Sequence, residues 1–317
     1  MSFYNGQNGF VTFLDVIKSR DCRDFVSGTH VRATEIVDAY TESIDGFEEK
    51  TLVKTENGTF SFRDFNEGST ITLPKYETRT TKCYNANPVL DVDILLYERW
   101  ENDGSLAQTI DDMKKDYFEG VMEGIGRQFF YGTSVDAHGF PGLESMVIPD
   151  LRFSAGGSTA NSQSSLWFVG WGARDVSMVY GGGSGLPFSW SEFRRETWRD
   201  GTALSTRMVC DFTMYPAVRV KRPQSVAVVK NIESTLTDNY LYKALAYMQA
   251  AGFEPTCAYT TAQVIEKLRA SRTATNPTGD PAPTPTDICG GIPIKYTTSL
   301  KNGTEAVDST SGIISLA

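Results

Sequence analysis

The 317-residue sequence predicts an α+β protein. Three features support this class: a single long amphipathic helix at 105–131, a strand-rich segment after it, and two shorter helices near 239–253 and 260–271. Apolar residues in the long helix recur at three- and four-residue steps, which is the spacing of one helix face. They are Ile110, Met113, Tyr117, Val121, Ile125 and Phe129.

The long helix is expected to act as a spine. About 26 residues at ~1.5 Å per residue give a length of roughly 40 Å, against about 11–12 residues for an average helix. Gly132 is predicted to end it, since glycine is common just past helix C-termini. One side of the helix lacks side chains at three positions, which predicts the close approach of a neighbouring strand or helix there. These positions are Gly120, Gly124 and Gly126.

The composition is that of a globular protein, with 40% hydrophobic and 22% charged residues. No apolar run approaches the ~18 residues of a membrane helix, and the first residues lack the basic and apolar regions of a secretory signal. The sequence therefore predicts cytosolic synthesis and no membrane segment. A net charge of −9 argues against tight binding of nucleic acid, because such binding usually needs a basic stripe.

The five cysteines are widely spaced, and no pair has the separation of a zinc or redox site. The sequence predicts reduced and mostly buried thiols, as expected of a cytosolic protein. They are Cys22, Cys83, Cys210, Cys257 and Cys289.

The region before the spine begins with two predicted short helices, at 12–20 and 33–44. A polar hairpin follows at 47–84, in which Asn57-Gly58 is a strong turn signal and 59–65 alternates as a strand does. Such a ribbon cannot bury a face by itself and is marginal alone in water. We therefore expect another subunit to hold it in shape. The charged residues predicted to contact that subunit are Glu67, Lys75, Glu77, Arg79 and Lys82.

The second half of the chain is predicted to be mainly strands. A buried strand is expected at 164–172, from its continuous apolar run. Another strand, closed by a glycine turn, is expected at 175–185. Alternating strands are expected over 198–232, with a turn at Asp200-Gly201 and breaks at Pro216 and Pro223. The segment 273–287 is rich in proline and predicted to be an exposed loop, and a last strand is expected at 290–300.

The sequence was searched for catalytic and cofactor motifs. The dinucleotide and phosphate-binding glycine motifs are absent, as are the nucleophile elbow and the zinc-protease motif. Asp136 and His138 share a turn, but the other histidine, His30, lies far away in the chain. Asp91 and Asp93 share a strand face and form either a cation site or the charged rim of a half-buried strand. We predict no catalytic, cofactor-binding or metal-binding residue.

The order of several short motifs resembles a known family. The motifs are FNEG at 65–68, FFYGT at 129–133, GFPGL at 139–143, SLWFVGWG at 165–172 and GIPI at 291–294. The chain resembles the major capsid proteins of tailed bacteriophages, which have the Hong Kong 97 fold. Each motif is weak alone, and their order and spacing carry the resemblance over nearly the whole chain.

The resemblance implies a division of the chain into five parts. Residues 1–46 would be an N-terminal arm and 47–84 an extended loop that reaches over a neighbouring subunit. Residues 85–155 and 190–233 would form a peripheral domain around the spine helix. Residues 156–189 and 234–300 would form an axial domain at capsomer centres, and 301–317 a C-terminal segment.

The resemblance also implies self-assembly into pentameric and hexameric capsomers of an icosahedral head shell. That shell would be part of the virion, and its subunits would be synthesised in the cytoplasm of the bacterial host. The shell would face packaged double-stranded DNA without binding it tightly. It leaves open whether portal, scaffold and cement or decoration proteins are further partners. Two other interpretations of the sequence are an encapsulin-like bacterial compartment shell and a cytosolic hydrolase that uses Asp136 and His138.

Overall fold

A computed structural model describes residues 33–68, 72–182, 188–200, 203–234, 236–276, 280–288, 291–310 and 312–316. The helix predicted at 12–20 lies outside these ranges. The helices are α1 (Thr34–Asp38), α2 (Ile94–Asn102), α3 (Leu106–Tyr131), α4 (Asp238–Ala250) and α5 (Ala262–Ala274).

Sixteen strands are named in chain order. They are β1 (Thr41–Ser43), β2 (Glu48–Glu56), β3 (Lys75–Lys82), β4 (Val89–Asp93), β5 (Arg152–Ser154), β6 (Ser164–Val169), β7 (Val176–Tyr180), β8 (Phe188–Trp190), β9 (Arg194–Asp200), β10 (Ala203–Met214), β11 (Pro216–Val220), β12 (Val226–Ile232), β13 (Cys257–Thr260), β14 (Asp287–Ile288), β15 (Ile292–Tyr296) and β16 (Ile314–Ser315).

The largest sheet has seven strands in the order β14-β15-β13-β6-β12-β5-β16. Its two central strands, β6 and β12, are buried along their whole length. The apolar run of β6 predicts such double-sided burial, since a strand covered on both faces needs no polar alternation. The alternation predicted over 198–232 is wrong for β12, whose residues are all buried. Helix α5 packs on β6 with Val264 and Leu268 buried, and α4 buries Leu241, Leu245 and Met248.

The spine helix α3 joins this sheet through aromatic rings. Phe129 stacks on Trp171 with ring centroids 5.5 Å apart, and Phe130 lies 5.6 Å from Trp167. The predicted helix over 105–131 is confirmed, and it ends at Gly132, whose φ is 58°. A Cβ at Gly126 would overlap Ser299 and Glu35, so a neighbour approaches closely there; Gly120 and Gly124 have no such neighbour.

A second sheet lies beside the start of the spine and is organised around β10. This 12-residue strand pairs antiparallel with β4 and β9 along its first part and with β8 at its end. Strand β10 ends at Met214 and β11 begins at Pro216, so the break predicted at Pro216 is confirmed. Strand β12 leaves this group and pairs with β6, so it is built into the seven-stranded sheet.

A three-stranded sheet, β1-β7-β11, closes the body. The helix predicted over 33–44 is only partly correct. Helix α1 ends at Asp38, and the chain then forms β1, which runs parallel to β7. The backbone hydrogen bonds offered by the edge of β7 outweigh the weak tendency of so short a helix to continue.

The predicted hairpin is present as a ribbon of β2 and β3, paired antiparallel from Glu48 and Lys82 at its root to Glu56 and Lys75. The predicted turn at Asn57-Gly58 is wrong. The two strands end at that point, and the described residues of 57–68 and 72–74 form an irregular outer segment. No strand forms at 59–65, because no neighbouring strand is available to pair with it.

Candidate subunit-assembly surface

The ribbon stands away from the body, and its root is fixed by a buried cation. The guanidinium of Arg219, on β11, binds the carboxylates of Glu42 and Glu49 and donates to Ser177 Oγ at 3.2 Å. Glu42 belongs to β1 and Glu49 to β2, so one side chain joins the ribbon to the three-stranded sheet. Beside it, burial raises the pKa of Cys83 to about 11, and Glu49 adds to that rise, so the thiol stays protonated.

The charges predicted to contact another subunit pair within the ribbon. Lys82 lies 3.0 Å from Glu48, Lys75 lies 2.8 Å from Glu56, and Arg79 lies 3.4 Å from Glu77. The hydrogen bond and charge of Glu48 raise the pKa of Lys82. Exposed pairs of this kind contribute about 0.2–1 kcal/mol each. The structure thus brings these residues onto one ribbon, and their contact with another subunit stays a prediction.

The fifth predicted residue, Glu67, lies in the outer segment. Its Oε2 accepts a long hydrogen bond, 3.4 Å, from the N–H of Asp64, and its carbonyl accepts one from Arg63 at 2.8 Å. In the part of the chain that the structure describes, the carboxylates of Glu67 and Asp64 have no cationic partner.

The outer segment also carries an aromatic group that sequence analysis missed. Phe60, Phe62 and Phe65 are 81%, 93% and 96% exposed. Phe60 and Phe62 touch edge to face, with centroids 5.4 Å apart, and cover little of each other. The sequence did contain a signal for this group, namely three phenylalanines within six residues of an otherwise polar segment. We call Phe60, Phe62 and Phe65 the ribbon-end aromatics.

A second exposed apolar surface lies on α2 and on the hairpin of β9 and β10. Helix α2 has no buried residue, and Leu95 is 72% exposed. On the hairpin, Trp198 is opposite Ser205 and Leu204 is opposite Arg199. Among the described residues, neither Arg195 nor Arg199 has a carboxylate partner. Residues paired across the two strands share a face, so Leu204, Arg195 and Arg199 lie on one face of the hairpin and Trp198 on the other. We call Leu204, Arg195 and Arg199 the hairpin surface.

The turn containing Asp136 and His138 is a structural joint. The Asp136 carboxylate accepts from the backbone N–H of His138 at 2.8 Å, so it does not orient the imidazole. Gln128, on the spine, donates to the carbonyls of Phe140 and Asp136 at 2.8 and 3.2 Å. A catalytic pair would need the carboxylate on an imidazole nitrogen and a nucleophile within reach.

Two glycines make this joint possible. A Cβ at Gly132 would lie 2.1 Å from the backbone nitrogen of Gly142, and a Cβ at Gly142 would lie 2.3 Å from that of Gly132. The motifs that carry the family resemblance, FFYGT and GFPGL, are therefore two halves of one backbone crossing at the end of the spine.

The other candidate groups also have structural roles. Asp91 binds Arg207 on β10, and Asp93 caps α2 by accepting from Leu95 N at 2.8 Å. Across the described ranges, no three His, Cys, Asp or Glu side chains lie close enough to hold a metal ion. Cys83, Cys210 and Cys257 are free thiols; Cys22 and Cys289 lie outside the described residues. None of the described helices is long and apolar enough to span a bilayer.

A spine helix, a projecting ribbon and a large mixed sheet define a viral shell protein of the Hong Kong 97 type. The model of the family "major capsid protein GP7" matches residues 34–307. The chain therefore belongs to the GP7 family of major capsid proteins and is a structural subunit of a phage head shell. This family is not one of enzymes, so the hydrolase interpretation is set aside. A search of curated proteins found no match to the sequence.

Solved structures share the fold. The capsid protein of bacteriophage Epsilon15 is similar with a TM-score of 0.57 and 17% identity, over 96% of this chain and 99% of that chain. The capsid of bacteriophage JBD30 has a TM-score of 0.55 and 10% identity, over 88% of this chain and 98% of that chain. The SrpI encapsulin of Synechococcus elongatus PCC 7942 has a TM-score of only 0.40, with 12% identity over 68% and 96% of the two chains.

Proposed function

We propose that this subunit assembles into an icosahedral shell of pentameric and hexameric capsomers around packaged double-stranded DNA. The observation that carries the proposal is the ribbon, whose aromatic end is left uncovered by the subunit's own body. Large exposed apolar groups of this kind mark interaction sites. The proposal places synthesis in the host cytoplasm, and a net charge of −9 favours a shell that faces DNA without gripping it.

The ribbon is proposed to reach over a neighbouring copy and to bind it mainly through the ribbon-end aromatics. An aromatic side chain buries about 150–250 Å², and at ~25 cal/mol per Å² this amounts to several kcal/mol for each ring. The exposed ion pairs contribute far less. Glu67, Lys75, Glu77, Arg79 and Lys82 would then set the register of the contact, through charge complementarity.

The hairpin surface is the receiving surface that this chain offers best. Its Leu204 is 69% exposed and matches the apolar character of the ribbon end. Its unpaired arginines match the unpaired Asp64 and Glu67 beside the ribbon-end aromatics. Two different patches that fit each other make a head-to-tail contact, which closes into rings when the rotation between copies allows it.

The domain division implied by the resemblance is kept in this proposal, with one boundary moved. The arm is 1–46, the extended loop 47–84 and the C-terminal segment 301–317. The resemblance gives the peripheral domain as 85–155 and 190–233, and the axial domain as 156–189 and 234–300. The pairing of β12 with β6 favours assigning Val226–Ile232 to the axial domain, because strands of one sheet fold and move together.

The proposal is tested with purified full-length chain by sedimentation velocity and negative-stain microscopy. Wild type is expected to form closed particles. The variant F60S/F62S/F65S is expected to stay as free subunits or capsomers, with an unchanged unfolding midpoint because these rings contact no core. V135S, which removes an apolar side chain that is 46% exposed elsewhere, is the matched control and should assemble normally.

The receiving surface is tested by exchanging charges. R195E/R199E is expected to impair assembly, and adding D64R/E67R to the same chain is expected to restore it. Wild-type chain that never forms closed particles contradicts the shell proposal. Normal assembly by the triple serine variant contradicts only the role of the ribbon end, and absence of rescue contradicts only the hairpin surface.

A further inference from the structure

Helix α1 carries a carboxyl group into the interior of the subunit. Glu35 is fully buried, and its neighbour Ile36 is buried with it. A Cβ at Gly126 of the spine would lie 2.3 Å from Glu35 Oε1 and 2.2 Å from Ser299 Oγ. The carboxyl and the hydroxyl therefore meet against the spine at a position where it has no side chain.

The polar atoms of this site have no hydrogen-bond partners of good geometry among the described residues. They are both carboxyl oxygens of Glu35 and the hydroxyl of Ser299. Buried polar groups in native proteins are nearly always satisfied. The groups beside the carboxyl that can bond to it are the hydroxyls of Ser299 and Thr297.

The charged groups around Glu35 do not supply a counter-ion. Asp38, on the same helix, is negative; it pairs with Lys295 on β15 at 2.7 Å and accepts from Tyr259 OH on β13 at 3.2 Å. On the spine, Arg127 pairs with Glu123 at 2.8 Å on the exposed side. Among the described residues, no cation pairs with the Glu35 carboxyl.

An isolated buried carboxylate is costly, and such a group takes a proton instead. Burial raises the pKa of Glu35, the hydroxyls of Ser299 and Thr297 offset part of that rise, and the charge of Asp38 adds to it. A protonated carboxyl can donate to one hydroxyl and accept from another. The neutral acid therefore fits the buried site, whereas the carboxylate would be a buried charge that the hydroxyls offset only in part.

We propose that Glu35 is a proton-operated latch that fastens α1 to the spine helix and to residues 295–299. The neutral carboxyl holds α1 in place, together with the bond from Thr34 Oγ1 to Tyr296 O at 2.7 Å. Ionisation releases α1, because the charged group must reach water. The latch does not depend on the ribbon contact of the proposed function.

The direction of the pH dependence follows from the raised pKa. A carboxyl whose pKa is raised in the folded state stabilises that state at acid pH, and the stabilisation is lost as pH rises through the folded pKa. We therefore expect α1 to be fastened at acid pH and to open more readily, by about tenfold per pH unit for a single proton, as pH rises from the ordinary glutamate pKa of 4.5 to the raised folded pKa; opening then levels off.

The latch is tested by hydrogen exchange of the amides of α1 across a pH series, corrected for the chemical exchange rate. Wild type should lose protection in α1 by about tenfold per pH unit between 4.5 and the folded pKa, and no further above it. E35Q, which is neutral at every pH, should keep constant protection. D38N is the matched control on the same helix and should keep the wild-type pH dependence.

Three outcomes of the exchange experiment overturn the latch: constant protection in wild type, a wild-type response in E35Q, or a response that D38N alone removes, which would assign it to the Asp38–Lys295 pair.

Infrared spectra of folded wild type give a second measurement that needs no folded Glu35 variant. The band of a neutral carboxylic acid should persist well above 4.5, the ordinary pKa of glutamate. The same band should remain in E305Q, since Glu305 is another buried glutamate with a raised pKa; loss of the band there overturns the latch.

Discussion

Arg219 forms an ion pair with Glu49, and this contact joins the body of the subunit to the first strand of the ribbon. The same guanidinium binds Glu42 on β1, and its side chain is only 3% exposed. A buried cation shared by two carboxylates fixes the direction in which the ribbon leaves the body. The surface pairs along the ribbon are solvated and have no comparable effect on its orientation.

Substitution of this cation should loosen the ribbon root. R219M leaves Glu49 without its cation and Glu42 with only Lys221, 3.8 Å away. Removal of one partner of a buried pair costs about 3–5 kcal/mol, and we expect a loss towards the lower end of that range because Glu42 and Glu49 are 26% and 37% exposed. Chemical denaturation is expected to show that loss in the free energy of unfolding. K82M, which removes the exposed pair with Glu48, is the control and should cost less than about 1 kcal/mol. Equal losses in the two variants would show that Arg219 does not anchor the ribbon.

The backbone crossing at the end of the spine should reject any side chain. G132A adds a Cβ 2.1 Å from the nitrogen of Gly142 at a φ of +58°, so we expect a loss of about 1–3 kcal/mol or more. G120A is the contrasting change in the same helix. No atom lies within 4 Å of its new Cβ, and alanine in a helix interior should add about 0.5–1 kcal/mol of stability. A tolerated G132A would mean that the crossing is looser than the structure has it.

The turn at Asp136 and His138 should respond as a structural element. D136A removes the acceptor for the His138 N–H and should cost about 0.5–1.5 kcal/mol. H138A removes an exposed ring and should change stability by less than about 0.5 kcal/mol. Thermal unfolding and particle formation are the measurements. Particles that form normally with both alanines present are expected; failure of H138A to assemble would assign the imidazole a contact between subunits.

The loop at 157–163 should open in acid. The hydroxyl of Thr159 and the N–H groups of Thr159 and Ser158 lower the pKa of Glu233 to about 2. A lowered carboxyl pKa gives stability that is present above the ordinary value of 4.5 and is lost as pH falls towards about 2. Limited proteolysis of this loop should therefore accelerate over that range in wild type.

Two variants make the acid test specific. In E233Q the loop should be cleaved faster at neutral pH, and acid should have little further effect on it. E192Q changes an exposed glutamate elsewhere and should behave as wild type. A wild-type acid response in E233Q would place the responsible group outside this loop.

The hydrophobic pattern within a segment was enough to predict those helices and strands whose type and burial depend on that segment alone. The spine over 105–131 has an uninterrupted apolar face, and 164–169 has a continuous apolar run, so periodicity alone indicated their type and burial. The ribbon was also predictable, because its β-forming residues lack an apolar face. The phenylalanines at its end were assigned to a strand because the sequence of 59–65 alternates. A strand also needs a neighbouring strand to pair with, and 59–65 has none.

The interior sites depend on residues far apart in the chain, and no local pattern reveals them. The burial of Glu35 follows from Ser299 and Gly126 meeting at the same place. Arg219 lies in an alternating strand, where a charged residue is ordinarily expected to face water. Its burial depends on two glutamates that belong to other strands. These contacts arise from topology, which sequence periodicity does not encode.

The seven-stranded sheet makes the subunit's folding depend on its last strands. Strand β15 lies between β13 and β14, and β16 lies beside β5, so the sheet closes only when residues beyond 292 have left the ribosome. Pairing between distant segments is slow compared with helix formation. A chain that stops short of β15 would leave β13 with an unpaired edge, which is prone to non-native association. The strand order thereby makes completion of the sheet depend on residues that are synthesised after most of the fold.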